Sequence, residues 1–260
     1  MNCIQKHYLK KMSTKLNKEP HLPFIIDVLI PAYNEEESIP LVLRAIPRNL
    51  VRQIIVCNNG STDRTAFISQ KLGAIVVEQP KPGYGNACLM GINYLRQLPK
   101  AEQPDIVVFL DADYSDYPEE MYQIVAPIIK NGMHLVIGSR MLKKTQSQAM
   151  TIPQRFGNWL APLLIRWLYG VRFTDLGPFR AIRWPDLLQL NMQDPNYGWT
   201  VEMQVKAAKK HLSCLEIPVS YRKRAAGKSK VSGTIKGSVL AGLKIIGIIL
   251  KELRTRPQGH

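Results

Sequence analysis

Three aspartates follow a strongly apolar run near the middle of the sequence. Residues 106–110 read IVVFL, and Asp111, Asp113 and Asp116 come directly after them. An apolar run of this length, rich in β-branched and aromatic residues, predicts a buried strand. Carboxylates placed close together repel each other, and a cation among them relieves that repulsion. We therefore predict that Asp111 and Asp113 hold Mg²⁺ or Mn²⁺ together with phosphate oxygens and water, which such hard ions prefer.

The spacing of these aspartates sets a condition on that site. We expect that strand geometry alone does not bring Asp111 and Asp113 to one ion, and that a turn directly after the strand aims one of them at it. In the alternative interpretation, the aspartates are solvated strand-end residues, and Asp116 caps a helix that begins near Pro118.

Polar or glycine-rich segments follow the four other predicted strands. They are residues 31–38 (PAYNEEES), 57–63 (CNNGSTD), 81–87 (KPGYGNA) and 138–140 (GSR). In an open parallel sheet, ligands bind outside the carboxyl ends of the strands. We therefore expect all five strand ends to contribute to one site.

The side chains of these segments suit a nucleotide and its phosphates. The amide of Asn58 can hydrogen-bond a nucleobase, and that of Asn59 can reach a ribose. Lys81 precedes a predicted helix start, where backbone N–H groups favour a phosphate. An ordinary β-to-α turn explains Gly60 and the polar residues after it equally well.

A basic segment follows the last predicted strand. Residues 221–230 read YRKRAAGKSK, and the cations that flank Gly227 are Arg222, Arg224, Lys228 and Lys230. This arrangement predicts a mobile lid that closes over a diphosphate. A solvated run of charge is the alternative.

The spacing of apolar residues predicts an α/β fold. Between Phe24 and Met141, apolar strands alternate with helices, which indicates a mostly parallel central sheet covered by helices on both faces. Beyond Met141 this alternation ends, and we expect the second half of the chain to pack around the sheet. We predict a flexible basic arm over residues 1–23, a single domain over 24–233, and an apolar and basic helix with a tail over 234–260.

The charge is concentrated at the two ends of the chain. The net charge is +15; residues 1–19 carry five lysines and one acidic residue, and residues 221–256 carry ten lysines and arginines and one acidic residue. Positive ends on a nearly neutral body suit an anionic surface or substrate. A non-catalytic nucleic-acid-binding protein is the alternative of another class, but it predicts a continuous basic face with interleaved aromatic residues.

The cysteines and the last helix indicate where in the cell the protein works. The four cysteines form no paired motif, which disfavours a disulfide framework or zinc site and favours the cytoplasm. The longest apolar run of the last helix, residues 245–250, is far below the roughly 20 residues that a membrane span needs. This helix either packs in a core or oligomer interface or lies on a membrane surface, and its lysines favour the membrane surface.

Taken together, these segments resemble the family 2 glycosyltransferases with a GT-A fold, and within them the polyprenyl-phosphate sugar transferases, such as the dolichyl-phosphate mannose synthases. The resemblance rests on LIPAYNEEESIP, NNGSTD, KPGYGNACLMGI, FLDAD, IGSR, QRFGN, TDLGPFRAI, VEMQVKAAKKHL, EIPVSYRKR and GKSK, in family order over about residues 27–235. It implies a Rossmann-like half that binds a nucleotide sugar and a second half that binds the acceptor. It also implies an inverting hexosyltransferase that works with Mg²⁺ or Mn²⁺ on a UDP- or GDP-sugar.

The resemblance also implies roles for individual residues. The pocket for the base and ribose is lined by Pro31, Tyr33, Glu35 and Asn58. The donor diphosphate and its cation meet Asp111, Asp113, Arg224, Lys228 and Lys230. The phosphate of a polyprenyl acceptor meets Arg140 and Arg155. Asp175 lies in the loop beside the sugar and Glu202 on the following helix. One or the other is the predicted base if the acceptor is instead a hydroxyl group, as in cell-wall or polysaccharide synthesis.

Two departures from the family pattern affect specificity. Asn58 and Asn59 stand where the family usually has two aspartates, which bears on the choice of base. Leu176 and Pro178 flank Gly177, so the sugar need not be mannose. The expected partners are a nucleotide sugar, a polyprenyl phosphate and the cytoplasmic face of a membrane, with an oligomer possible and no nucleic acid.

Overall fold

A seven-stranded sheet forms the centre of the molecule. The computed structural model describes residues 24–143, 152–226, 246–249 and 251–252, without the side chains of 152–159. The strands are β1 (Ile26–Ala32), β2 (Gln53–Asn58), β3 (Ile75–Glu78), β4 (Ile106–Phe109), β5 (Leu135–Ser139), β6 (Arg180–Arg183) and β7 (Cys214–Pro218). Their spatial order is β3-β2-β1-β4-β6-β5-β7, and β6 alone among these strands runs antiparallel to its neighbours. The prediction of a mostly parallel sheet is confirmed.

Helices cover both faces of the sheet. They are α1 (Ile39–Ala45), α2 (Thr65–Lys71), α3 (Tyr84–Gln97), α4 (Met121–Asn131), α5 (Ile152–Tyr169), α6 (Trp184–Leu190) and α7 (Trp199–Lys209). Along β4, Ile106 and Val108 pack into the core layer under α1 and α4, whereas Val107 and Phe109 pack into the layer under α3, α6 and α7. This alternation explains why an unbroken apolar strand is needed at that position.

The register of the sheet brings the polar segments to one edge. At the carboxyl end of β1, Ala32 pairs with Asn58 of β2. The reversed strand β6 begins at Arg180, which pairs with both Phe109 of β4 and Ile137 of β5. The amino end of β6 therefore lies at the same edge as the carboxyl ends of its neighbours, and the loop before it reaches the predicted site.

Several predicted features lie wholly or partly outside the described residues. The basic arm over 1–23, Lys228 and Lys230 are among them, and Arg155 lies on α5 without a described side chain. Of the last predicted helix, residues 246–249 and 251–252 are helical. Ile249 is buried there in the core layer that contains α7, so this part of the helix packs on the domain. Within the described residues, no helix has the length and apolar character to span a bilayer.

Candidate active site

The aspartate loop after β4 turns sharply. Asp113 Oδ1 accepts hydrogen bonds from the backbone N of Ser115 at 2.9 Å and from its hydroxyl at 2.5 Å. Between them, Tyr114 adopts a left-handed conformation with φ of 59°. Asp111 is held from the other side, because the Tyr84 hydroxyl of α3 donates to Asp111 Oδ1 at 3.0 Å. A turn therefore follows the strand, as expected, and a shared ion for Asp111 and Asp113 stays a prediction.

The electrostatics of this loop suit a cation. Burial, followed by the nearby charge of Asp113, raises the pKa of Asp111 to about 7. A divalent cation would stabilise both carboxylates in their charged form. In the part of the chain that is described, no three His, Cys, Asp or Glu side chains converge as a ready-made metal site. Two carboxylates with diphosphate oxygens and water therefore remain the arrangement that fits Mg²⁺ or Mn²⁺.

Arg140 and Asp175 form a buried ion pair beside this loop. The backbone N, Nε and Nη2 of Arg140 donate to the Asp175 carboxylate at 2.8, 2.7 and 2.7 Å. The Arg140 guanidinium also lies 4.9 Å from the centre of the Tyr221 ring. Although burial lowers the pKa of Arg140, the Asp175 carboxylate outweighs that effect and keeps the pKa above its ordinary value. Arg140 is therefore a fixed positive charge.

A second buried carboxylate supports that pair. Glu216 in β7 accepts hydrogen bonds from the backbone N of Thr174 at 2.8 and 2.9 Å, from the Thr174 hydroxyl at 3.0 Å and from the backbone N of Asp175 at 3.0 Å. Burial raises the pKa of Glu216 to about 7, despite these donors. The Thr174 hydroxyl also lies 2.7 Å from that of Ser139. Glu216 thus fixes the loop that carries Asp175.

The two asparagines after β2 hold neighbouring segments together. Asn58 Nδ2 donates to Glu78 Oε2 at 2.7 Å. Asn59 accepts from the backbone N of Gly83 at 2.7 Å and donates to the backbone O of Lys81 at 2.7 Å. These contacts fasten the segment before α3 to the end of β2, so the described role of Asn59 is structural. Contacts of both asparagines with a base or ribose stay predictions.

The described part of the basic segment lies on the aspartate loop. Arg224 Nη2 contacts Glu35 Oε1 at 2.5 Å, and its Nε lies 3.9 Å from Asp113 Oδ2. The Arg222 guanidinium lies 3.6 Å from the ring centre of Tyr114 and 3.8 Å from that of Tyr117. The structure therefore brings Arg224 between the first and fourth predicted segments of the site.

Glu202 lies at a different loop. Its carboxylate accepts from the backbone N of Gln193 at 2.9 Å and of Asp194 at 2.8 Å, and contacts Lys206 Nζ at 2.7 Å. That loop packs on the start of α3, because Asn86 N donates to the backbone O of Pro195 at 2.9 Å. These bonds commit the Glu202 carboxylate to structure, and a role as base stays a prediction.

The remaining predicted residues differ in exposure. Pro31 is buried within β1, whereas Tyr33 is 43% exposed at the end of that strand and can contact a ligand. Lys81 is exposed.

Sequence reasoning missed three residues of this site. They are Tyr84, Thr174 and Glu216. Tyr84 stands between two glycines of KPGYGNA, and Glu216 interrupts an otherwise apolar strand, CLEIP. A charged residue within an apolar strand was the available signal, because burial of a charge requires specific partners.

The fold is that of a glycosyltransferase of the GT-A type. The model of the family described as "Glycosyl transferase family 2" matches residues 27–187, and the chain belongs to this family. The predicted GT-A fold is confirmed by glucosyl-3-phosphoglycerate synthase of Mycobacterium tuberculosis, solved with Mn²⁺, UDP-glucose and phosphoglyceric acid. Its TM-score is 0.68 at 22% identity, over 91% of this chain and 82% of that one.

Relatives with similar sequences align with most of the chain. An uncharacterised glycosyltransferase of M. tuberculosis is 35% identical over 86% of this chain and 97% of its own length. A dolichyl-phosphate hexose transferase of Haloferax volcanii is 32% identical over 86% of this chain and 94% of its own length. An undecaprenyl-phosphate mannosyltransferase of Micrococcus luteus is 26% identical over 85% of this chain and 93% of its own length. The resemblance to polyprenyl-phosphate sugar transferases is confirmed by these relatives.

Proposed function

We propose that this protein transfers a hexose from a UDP- or GDP-sugar to a polyprenyl phosphate, with inversion at the anomeric carbon. The observation that carries the proposal is the buried Arg140, which is held by Asp175 beside the aspartate loop. One site thereby combines carboxylates for a diphosphate-bound cation with a fixed cation for a second phosphate. Asp175 uses Nε and Nη2 of Arg140, so Nη1 is the group that would meet that phosphate. Relatives named for transfer to dolichyl and undecaprenyl phosphate support the same acceptor.

The chain's own residues divide the work on the two phosphates. A divalent cation at Asp111 and Asp113 would supply charge neutralisation for the leaving diphosphate. Arg224 adds a positive charge on the same side, and in the substrate-free protein it is paired with Glu35. Arg140 holds the acceptor phosphate close to the donor diphosphate, although the two phosphates repel each other. Arg155 is predicted to share this role.

A phosphate acceptor also fits the state of the predicted bases. An anionic phosphate oxygen attacks the anomeric carbon without losing a proton, so it needs no general base. A hydroxyl acceptor does need one. The carboxylate of Asp175 is fully buried and bound to Arg140, and that of Glu202 is bound to Lys206 and two backbone N–H groups. Neither carboxylate is therefore available as a base in this arrangement, which favours the lipid phosphate over the hydroxyl acceptor.

Contact with a membrane is part of the proposal. A polyprenyl chain stays in the bilayer, so the site must reach the membrane surface. The positive charge near the two ends of the chain would attract the anionic lipids of the cytoplasmic face. Sedimentation with vesicles that contain anionic lipid, against neutral vesicles, tests this contact separately from catalysis.

The test is a transfer assay with radiolabelled UDP- and GDP-hexoses, Mn²⁺ or Mg²⁺, and a short polyprenyl phosphate. We expect label to enter the organic phase, and to stay in water when EDTA is added or when Asp113 is replaced in Asp113→Asn. Glu119→Ala, at an exposed acidic position of the same segment, is the matched control and should transfer normally. Donor turnover without lipid product would overturn the lipid acceptor in favour of a hydroxyl group.

A further inference from the structure

The carboxyl group of Asp116 is buried without a hydrogen-bond partner. Asp116 is 2% exposed, and neither of its carboxyl oxygens has a partner within the described residues. The alternative in which Asp116 caps the helix near Pro118 is wrong, because the turn Pro118–Glu120 has Tyr117 at its N-cap and no side-chain cap. A buried polar group without a partner costs folding free energy, so native proteins rarely retain one without a use.

Asp116 lies between the donor side and the acceptor side of the site. It follows Asp113 by three residues in the same loop, and its backbone forms a β-bridge with Tyr221. The ring of Tyr221 in turn lies 4.9 Å from the Arg140 guanidinium. Burial, the charges of Asp111 and Asp113 and the opposing charge of Arg140 all act on the pKa of Asp116, which is raised. Both sides of the site are therefore within electrostatic range of this carboxyl group.

Two possible ligands of Asp116 fit poorly. It is not a third ligand of one cation with Asp111 and Asp113, because no three acidic side chains of the described chain converge in that way. A phosphate fits less well, since it mainly accepts hydrogen bonds and so pairs with this carboxyl group only when the group is protonated. A sugar hydroxyl can both donate and accept, so it pairs with a carboxyl group in either protonation state.

The chemistry of transfer requires a hexose between the donor side and the acceptor side of the site. The anomeric carbon must lie between the leaving diphosphate and the acceptor oxygen, and Asp116 lies between the groups that hold them. We infer that Asp116 hydrogen-bonds a hydroxyl group of the transferred hexose and so determines sugar specificity. This inference rests on the proposed function and adds a contact that recognises the sugar itself.

The test compares a nucleotide hexose with its 2-, 3-, 4- and 6-deoxy analogues by kcat/KM. For the wild type, we expect at least one deoxy analogue to lose roughly 100-fold or more, because its missing hydroxyl leaves a buried polar group unpaired. In Asp116→Ala, the same analogue and its parent should differ by less than about threefold, since the partner of that hydroxyl is gone. Asp116→Asn retains an acceptor and should keep part of the discrimination, whereas Glu119→Ala should keep all of it.

A second measurement separates recognition of the sugar from a structural role. Removal of the unpartnered carboxyl group should raise or preserve the Tm of the substrate-free protein in Asp116→Ala, whereas loss of a structural carboxylate would lower it. Binding of UDP or GDP alone, measured by calorimetry, should be unchanged in this variant, because the nucleotide lacks the hexose.

Four outcomes would overturn the inference. The first is a deoxy penalty in Asp116→Ala as large as in the wild type, and the second is no deoxy penalty in the wild type. The third is an equal loss of kcat with every donor in both Asp116 variants, which would identify a general base. Failure of the wild type to bind any nucleotide sugar would overturn the proposed function together with this inference. The first two outcomes leave the proposed function standing, whereas a general base at Asp116 would favour a hydroxyl acceptor over the lipid phosphate.

Discussion

Arg140 and Asp175 lie 35 positions apart in the sequence and form one buried, bidentate ion pair, with Nε and Nη2 of Arg140 each 2.7 Å from a carboxylate oxygen of Asp175. The pair is possible because β6 enters the sheet in reverse and brings its preceding loop beside the end of β5. Burial of such a pair is seldom a gain in stability over well-packed apolar residues. Its retention at the candidate site therefore indicates a use for the guanidinium.

This relationship predicts different effects on stability and on activity. Arg140→Met alone leaves the Asp175 carboxylate buried and uncompensated, and should lower the free energy of unfolding by about 3–5 kcal/mol. The double variant Arg140→Met/Asp175→Leu removes both charges and should recover most of that loss. Transfer to polyprenyl phosphate should remain abolished, because the acceptor phosphate has lost its cation. Urea unfolding and the transfer assay measure the two quantities.

Asp175→Asn is the matched control for this prediction, because it keeps Arg140 and nearly the shape of its partner. It should retain more transfer activity than either variant that lacks Arg140. Normal transfer by the stable double variant would show that Arg140 serves the fold alone.

Asp113 should be required for the cation. Asp113→Asn keeps an oxygen that can accept from Ser115 but loses the negative charge, so the loop should retain its turn. Loss of a supporting hydrogen bond at a metal site costs roughly 10–100-fold in metal affinity, and loss of a charged ligand should cost more. Titration of free Mn²⁺ by electron paramagnetic resonance measures the affinity directly, and circular dichroism checks the fold. Unchanged Mn²⁺ affinity would contradict the assignment of Asp113 as a ligand.

Much of the fold could be predicted from the sequence. Buried parallel strands such as β4 are apolar throughout, and the helices between them have clear apolar spacing. The strand β6 could not be predicted in this way, because its four residues, RAIR, carry an arginine at each end. The buried guanidinium of Arg180 donates hydrogen bonds to the carbonyl groups of Gly177 and Thr200, which only the folded chain brings together.

The same limit applies to the site. The rule that ligands bind at carboxyl ends of parallel strands correctly brought Glu35, Asp113 and Arg140 into one region. The partners of these residues, however, lie far away in sequence: Arg224 contacts Glu35 across 189 positions. Such pairs depend on strand order and register, which local sequence patterns do not encode. Tyr84 and Glu216 received no role from the sequence. Both act by holding other site residues, through contacts that form only in the folded chain.

Arg224 should contribute more to donor binding than to stability. It is paired with Glu35, and the two side chains are 21% and 9% exposed. Arg224→Ala removes this partner of a buried carboxylate, which keeps its hydrogen bond from the Ser38 hydroxyl, so we expect a modest fall in the Tm. The same substitution should lower kcat/KM for the nucleotide sugar by roughly 100-fold, the effect of removing one donor to a developing charge. Lys223→Ala, at the exposed neighbouring position, is the matched control and should be close to wild type. An equal, small effect of both substitutions would show that only the general positive charge of the segment matters.

Glu216 should give the protein a pH-dependent stability near neutrality. Burial raises its pKa in the folded protein to about 7 from an ordinary value of 4.5. Between these values the folded protein keeps the proton that the unfolded chain releases, so stability should fall as pH rises from about 4.5 to 7 and then level off. The total fall due to this group is on the order of 3 kcal/mol.

The comparison variant is Glu216→Gln, which carries no titrating group. It loses one acceptor for the N–H groups of Thr174 and Asp175, and this cost does not change with pH. The free energy of unfolding of the wild type, minus that of Glu216→Gln, should therefore decrease from pH 4.5 to 7 and stay constant above it. Urea unfolding at half-unit steps of pH measures this difference. A difference that is independent of pH would show that Glu216 is charged throughout, because the hydrogen bonds from Thr174 and Asp175 would then outweigh its burial.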